Sequence, residues 1–96
     1  MYQERAARYV RQIMTYEVYL HKKAQKNLEK FSDREHIRSH LRALERFPES
    51  GDLVRIEDGI YRMRIGEYRA LFKVYEDEKI IVVINIDVRG KVYKSL

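Results

Sequence analysis

The fold is decided by residues 53–88, which read LVRIEDGIYRMRIGEYRALFKVYEDEKIIVVINIDV. Asp58-Gly59 predicts a two-residue hairpin turn because both positions tolerate positive φ, and Gly66-Glu67 predicts a second turn with glycine first. The acidic residues 76–78 mark a third reversal, and the Ile/Val run after them predicts a central strand covered on both faces. We therefore predict an antiparallel β-meander whose strands span residues 53–57, 60–65, 68–75 and 79–88.

The segment before the meander combines one strand with two helices. Residues 16–20 place alternate apolar side chains on one face and predict a first strand. Residues 21–31 are rich in helix-forming residues and predict a helix that buries Ala24, Leu28 and Phe31. Ser32-Asp33-Arg34-Glu35 matches a capping box, which predicts a second helix running to about Phe47 and burying Ile37, Leu41 and Leu44. The predicted fold class is α+β: one strand, an antiparallel helical hairpin, then a mainly antiparallel β-meander sheet.

The composition describes one small basic domain. The 96 residues are 45% hydrophobic, as in an ordinary globular chain, and carry a formal net charge of +5. The absence of cysteine excludes disulfides, thiolate metal sites and a cysteine nucleophile, and it fits a reducing cytoplasm. The longest apolar run, residues 80–84, is too short to span a bilayer, so no membrane partner is expected. His36 and His40 have the spacing of half a metal site, but no third ligand stands out, so we predict neither a metal nor a cofactor.

The basic residues of the second half converge on one predicted face. This half carries 9 basic and 8 acidic side chains, against 11 and 7 in the first 50 residues, but its acids collect at predicted turns. Strand alternation points Arg62 and Arg64 away from Met63, and the next hairpin adds Arg69. The last strand is followed by Arg89, Lys91, Tyr93 and Lys94. Several cations together with an aromatic ring on one face suit the binding of a phosphodiester backbone and a stacked base. Charge on a solvated strand face also serves solubility alone, and the pattern leaves both interpretations open.

The first residues stand apart from this domain. Residues 1–13 predict a basic N-terminal extension, which is either a short amphipathic helix with a functional role or an artefact of an upstream start site. We favour the second interpretation and place the compact domain at residues 14–96.

Three stretches carry a family resemblance: residues 16–24 read YEVYLHKKA, residues 59–69 read GIYRMRIGEYR, and residues 84–94 read INIDVRGKVYK. Together they make residues 14–96 resemble the RelE/ParE superfamily of type II toxin–antitoxin toxins, particularly its RelE branch. The resemblance implies a RelE-like, microbial RNase-like fold. It also implies a small toxin that enters the ribosomal A site and cleaves mRNA, leaving a cyclic phosphate after attack by a ribose 2′-hydroxyl.

The resemblance implies catalytic roles for three residues. Arg69 matches the arginine that stabilises the charged transition state, Arg89 matches the arginine near the leaving 5′-oxygen, and Tyr93 matches the tyrosine that stacks on or orients the substrate. Arg62 and Arg64 stand where well-studied members have lysines. Because arginine stays charged, neither suits a general base, and we expect both to bind phosphates, together with Lys91 and Lys94. Since no histidine or carboxylate is expected in this patch, cleavage of free RNA should be slow.

The same resemblance implies the partners. The expected ones are an acidic RelB-like antitoxin, which folds across the toxin in a hetero-oligomer and covers the apolar grooves beside the helices, and the ribosome with its mRNA. Two other functions stay open. One is a ParE-like inhibitor of DNA gyrase, and the other is a non-enzymatic basic module that binds RNA or protein.

Overall fold

Five strands form one sheet in the computed structural model, which describes residues 15–49 and 51–91. The sheet has the order β1-β5-β4-β3-β2, in which β1 is parallel to β5 and the other pairs are antiparallel. The strand bounds agree with the predicted ones to within one residue: β1 Glu17–Leu20, β2 Leu53–Glu57, β3 Ile60–Ile65, β4 Tyr68–Tyr75 and β5 Ile80–Val88.

The predicted helical pair follows β1 and precedes β2 along the chain. Helix α1 spans Lys22–Lys30, helix α2 spans Arg34–Arg42, and a 3-10 turn over Ala43–Arg46 continues α2 towards Phe47. The α+β fold class is thereby confirmed. None of the described helices is long and apolar enough to cross a membrane.

The predicted capping box at the start of α2 is wrong. Asp33, rather than Ser32, is the N-cap residue, and its side chain makes no capping hydrogen bond. A capping box needs its serine at the N-cap and its glutamate three positions later, so a helix that begins at Arg34 puts both residues out of register by one. Glu35 instead lies 3.9 Å from Arg38 in an ion pair on the helix surface.

The core lies between the helices and one face of the sheet. The helical segment contributes the buried side chains of Ala24, Leu28, Ile37, Leu41 and Leu44. The sheet contributes Met63, Ile65, Ala70, Phe72, Val74, Ile81, Val83 and Ile86. Phe31, predicted as core, is only half-buried and packs its ring 4.6 Å from that of Tyr68. Because side chains alternate along a strand, the residues between these core positions face the opposite side of the sheet.

The hairpin turns differ in how they reverse the chain. Gly66 has φ of +58° and lies between the paired residues Ile65 and Tyr68, as predicted for a two-residue turn with glycine first. In the other turn Gly59 has φ of +76°, but Asp58 does not share the predicted positive φ, since Lys79 is the only described non-glycine residue that has one. The register of β2 against β3 shifts between Arg55 and Glu57, which leaves one extra residue beside this turn.

Strand β5 is an interior strand, as predicted, but it is fully covered on one face only. Ile81 and Val83 are buried under the helices, whereas Ile80, Val82 and Ile84 on the other face are half-buried. The expectation of cover on both faces is wrong because the described helices pack against one side of the sheet. A register shift opposite Leu71 and Phe72 makes Ile84 an extra residue, and the strand then returns Ile86 to the core.

Candidate functional site

Four arginines line one cleft on the sheet face opposite the helices. Arg62 and Arg64 come from β3, Arg69 comes from β4, and Arg89 directly follows β5. The cleft has a volume of about 380 Å³, and its remaining described lining residues are Asp52, Val54 and Gly90. We call this the arginine cleft. The structure therefore brings together four of the residues that the sequence predicts for the site.

Arg69 is held at the turn between β3 and β4. Its Nη1 donates hydrogen bonds to the carbonyl oxygens of Gly66 and Tyr68, both at 2.9 Å. It is half-buried and lies directly opposite Arg64 across the two strands. Like charges at directly opposed positions repel each other, so this arrangement costs stability unless an anion lies between them. Two neighbouring guanidinium groups can both donate hydrogen bonds to one anion.

Arg89 is brought to the same turn through the backbone. Its amide donates a hydrogen bond to the carbonyl oxygen of Glu67 at 3.3 Å, which ties the end of β5 to the β3–β4 turn. The chain then reverses, and the Lys91 amide donates to the carbonyl oxygen of Val88 at 3.1 Å. Lys91 is exposed and does not line the arginine cleft, so the structure does not place it with the four arginines.

Two predicted site residues, Tyr93 and Lys94, lie outside the described residues, as does the predicted extension over residues 1–13. Their roles stay predictions.

Carboxylates also occupy this region, contrary to the expectation that the acids lie apart at turns. Asp52 lines the cleft, and its Oδ2 lies 3.3 Å from Nε of Arg64. The Arg64 amide donates to the Asp52 carbonyl oxygen at 3.0 Å. Asp87 is the cross-strand partner of Arg69 on β5, and its Oδ1 accepts a hydrogen bond from the Val88 amide at 2.8 Å.

Sequence reasoning missed Asp52 because of the extra residue in β2. Counting pairs outwards from the Asp58-Gly59 turn without a bulge places residue 52 opposite Ile65, which faces the core. The observed shift pairs Leu53 with Met63, so residue 52 comes opposite Arg64 on the cleft face. Only a pairing with one extra residue beside the turn places residue 52 on the cleft face.

The histidines lie on the helical side of the molecule. His21 caps α1, since its Nδ1 accepts a hydrogen bond from the Lys23 amide at 3.2 Å. The rings of His36 and His40 lie 4.5 Å apart, and Nδ1 of His40 is 3.0 Å from the carbonyl oxygen of His36. Among the described residues, no group of three potential ligands could hold a metal ion.

A second concave surface lies between β1 and the helices. This groove has a volume of about 420 Å³ and an apolar floor built from Val18, Leu20, Leu28 and Leu41. Its other described lining residues are Gln25, Arg38, Arg42 and Glu45. We call it the helix groove. Its two arginines give it a partly basic rim.

Comparisons with known proteins agree with this architecture. The family model of the ParE toxin of the type II toxin–antitoxin system, parDE, matches residues 18–93. No match was found among curated proteins. The fold and the site define a small α+β toxin with a basic cleft on its sheet. The chain belongs to the RelE/ParE superfamily, and it is a toxin of a type II toxin–antitoxin system.

Solved structures give the same assignment. The archaeal RelE–RelB complex from Pyrococcus horikoshii matches with a TM-score of 0.71 and 29% identity, over 81% of this chain and 99% of that chain. The toxin–antitoxin complex RelBE2 from Mycobacterium tuberculosis matches with a TM-score of 0.65 and 25% identity, over 78% of this chain and 99% of that chain. A mutant of the Escherichia coli toxin RelE in the free state shares the fold, with a TM-score of 0.70 and 21% identity over 85% and 94% of the two chains. The predicted superfamily and the resemblance to its RelE branch are confirmed.

Proposed function

We propose that this toxin is a ribosome-dependent endoribonuclease of the cytoplasm, which cleaves mRNA in the ribosomal A site and so inhibits translation. The observation that carries the proposal is the arginine cleft, in which four guanidinium groups surround a space of about 380 Å³. Arginine binds phosphate through paired donors and keeps its charge, so this cleft suits the backbone of a single RNA strand. The similarity to RelE structures supports the same activity.

The proposed roles follow from where the arginines lie. Arg69, held by two backbone carbonyls, stabilises the negative charge that develops on the phosphate during attack by the 2′-hydroxyl. Arg89, which the backbone ties to the same turn, stabilises the leaving 5′-oxygen. Arg62 and Arg64 bind the phosphates on either side of the cut. Tyr93 orients the substrate base, and Lys91 and Lys94 are the further proposed contacts to the RNA.

A translating extract tests this proposal directly. The toxin is added, and the 5′ ends of the mRNA are mapped by primer extension. We expect cuts in phase with codons, and we expect Arg69→Ala or Arg89→Ala to slow cleavage by about 100-fold or more, as removal of a single transition-state donor does. Lys73→Ala is the matched control, because Lys73 is an exposed cation on β4 that does not line the cleft. Intact mRNA with the wild-type toxin contradicts the proposal.

The match to the ParE model favours one second candidate, inhibition of DNA gyrase. This activity needs no phosphodiester chemistry from the toxin. A supercoiling assay with purified gyrase separates the two functions, since only the second predicts inhibition there. Inactivity in both assays leaves the non-enzymatic binding module.

An acidic RelB-like antitoxin is the proposed partner, and the helix groove is its proposed contact. An amphipathic helix can place apolar residues on the floor of this groove and acidic residues against Arg38 and Arg42. We expect Arg38→Glu with Arg42→Glu to weaken neutralisation by the antitoxin while mRNA cleavage persists. Lys22→Glu with Lys26→Glu makes the same change in charge on exposed positions of α1, outside the groove, and is the control. Equal neutralisation of both double variants contradicts this contact.

A further inference from the structure

The proposed cleavage has a requirement that arginine does not meet. Attack by a ribose 2′-hydroxyl on the neighbouring phosphorus needs a group that accepts the hydroxyl proton. A guanidinium group stays protonated in proteins, so the four arginines of the cleft can bind phosphate and stabilise charge but cannot take this proton. The acceptor must be another group within reach of the phosphate site.

Asp52 meets this requirement. Among the described residues that line the arginine cleft, it has the only side chain that can accept a proton. The 3.3 Å contact to Arg64 and the hydrogen bond between their backbones hold its carboxylate beside the cations that bind phosphate. The side chain is nevertheless 60% exposed, so a bound strand can reach it.

We propose that Asp52 is the general base of the cleavage, an inference that rests on the proposed ribonuclease activity. The 2′-hydroxyl proton passes to a carboxylate oxygen of Asp52 while the 2′-oxygen forms a bond to phosphorus. The bond between phosphorus and the 5′-oxygen breaks, and this oxygen takes a proton from water. The products are a 2′,3′-cyclic phosphate and a 5′-hydroxyl, with no redox change, and Asp52 returns its proton to solvent.

Asp87, a second carboxylate near the arginines, is less suited to this role. It is the cross-strand partner of Arg69, but it does not line the cleft, and its Oδ1 accepts a hydrogen bond from the neighbouring Val88 amide. Asp87 is therefore placed to balance the charge of Arg69, whereas Asp52 stands beside the space that the RNA would occupy.

Single-turnover cleavage of mRNA on programmed ribosomes tests the assignment. We expect Asp52→Asn to slow cleavage by about 100-fold or more, which is the usual effect of losing a general base, and we expect Asp52→Glu to keep part of the rate. Formate should restore part of the rate of Asp52→Ala, since it supplies the missing carboxylate. Asp58→Asn is the matched control, because Asp58 also pairs with an arginine, at 3.0 Å, but lies outside the cleft. Thermal unfolding of each variant establishes that it is folded.

A pH profile separates proton transfer from mere positioning of Arg64. The charged groups around Asp52 in the cleft are Arg64 across the strand pair and Arg62, Arg69 and Arg89. With Asp52 as the base, the wild-type rate rises about tenfold per pH unit in its acidic limb and Asp52→Asn loses this dependence. If Asp52 is the base, adding Asp52→Asn to the Arg64→Gln variant should also make cleavage slower than in Arg64→Gln alone.

Each result decides between distinct conclusions. If the wild-type toxin cleaves and Asp52→Asn cleaves equally well, the assignment is wrong and the ribonuclease activity stands. If Asp52→Asn has no added effect in the Arg64→Gln background and formate restores nothing, Asp52 only positions Arg64. If the wild-type toxin leaves mRNA intact, the proposed function is wrong and the assignment falls with it.

Discussion

Single residues show how polar groups are accommodated inside this fold. Asn85 is almost fully buried within a strand of isoleucines and valines. Its Oδ1 accepts a hydrogen bond of 2.7 Å from Nδ2 of Asn27, which lies on α1. If a buried amide loses its hydrogen-bond partner, the free energy needed to remove it from water is no longer offset. The Asn27–Asn85 hydrogen bond therefore favours the one arrangement of α1 on the sheet in which both side chains meet.

Removal of Asn27 should therefore destabilise the protein. We expect Asn27→Ala to lower the free energy of unfolding by about 1–3 kcal/mol, because Asn85 is left without this donor. Lys26→Ala changes an exposed neighbour on the same helix and should stay within about 0.5 kcal/mol of the wild type. Urea unfolding measures both. Combining Asn27→Ala with Asn85→Ala in a double-mutant cycle should give a coupling energy of about 1 kcal/mol, and a coupling near zero contradicts the argument.

Among the elements, the helical hairpin contributes to the core with only one of its faces. On α2, Ile37 and Leu41 are buried in the core, whereas Ser39 is exposed. The packing of this narrow apolar face, rather than the end of the helix, holds α2 in place, since its N-cap side chain makes no capping bond.

Substitutions on the two faces of α2 should differ accordingly. Ile37→Ala should cost about 2–5 kcal/mol, because it leaves a cavity under the sheet. Ser39→Ala on the exposed face should change the stability by less than about 0.5 kcal/mol. Both are measured by urea unfolding. A loss for Ile37→Ala as small as that for Ser39→Ala would contradict the argument that packing of the apolar face stabilises α2.

On the scale of the whole molecule, the sheet separates two surfaces of different chemistry. The helices and the helix groove lie on one side, and the arginine cleft lies on the other. Four arginines and a single carboxylate line the described part of the cleft, so positive charge is concentrated on this surface. Concentrated charge binds a polyanion through the release of counterions, which makes the affinity depend steeply on salt.

The salt dependence of RNA binding should show whether the RNA phosphates bind the arginines of the cleft. For a single-stranded RNA oligonucleotide, replacing two phosphate-binding arginines should reduce the slope of log affinity against log salt by about 1.4. We expect this change for Arg62→Gln combined with Arg64→Gln. Lys22→Gln with Lys26→Gln lowers the net charge equally on exposed positions of α1 and should leave the slope nearly unchanged. Fluorescence anisotropy at several salt concentrations measures both, and equal slopes would place the RNA elsewhere.

Deletion of residues 1–13 should leave the toxin active. The first described strand begins at Glu17, the family model matches from residue 18, and the described lining of the cleft begins at Asp52. Cleavage by the truncated protein in the translating extract measures this expectation. A loss of cleavage with an unchanged unfolding temperature would assign the basic extension a role in binding.

The sequence by itself determined the helices and strands, and which face of the meander strands is apolar and which is charged. The alternation along residues 60–65 placed Arg62 and Arg64 on the face of the strand that points away from Met63, and the glycines located the hairpin turns. Both signals arise from local backbone geometry. The resemblance to the RelE branch singled out Arg69 and Arg89, both of which line the cleft.

Only the tertiary structure decided which elements meet and which residues share the cleft. The parallel pairing of β1 with β5 joins segments about sixty residues apart, and no local pattern encodes such a contact. The extra residue in β2 depends on the conformation of the turn beside it, yet it moves Asp52 from the core face to the arginines. A single shift of register changes the face of every residue beyond it, so the carboxylate of the site became visible only in the folded chain.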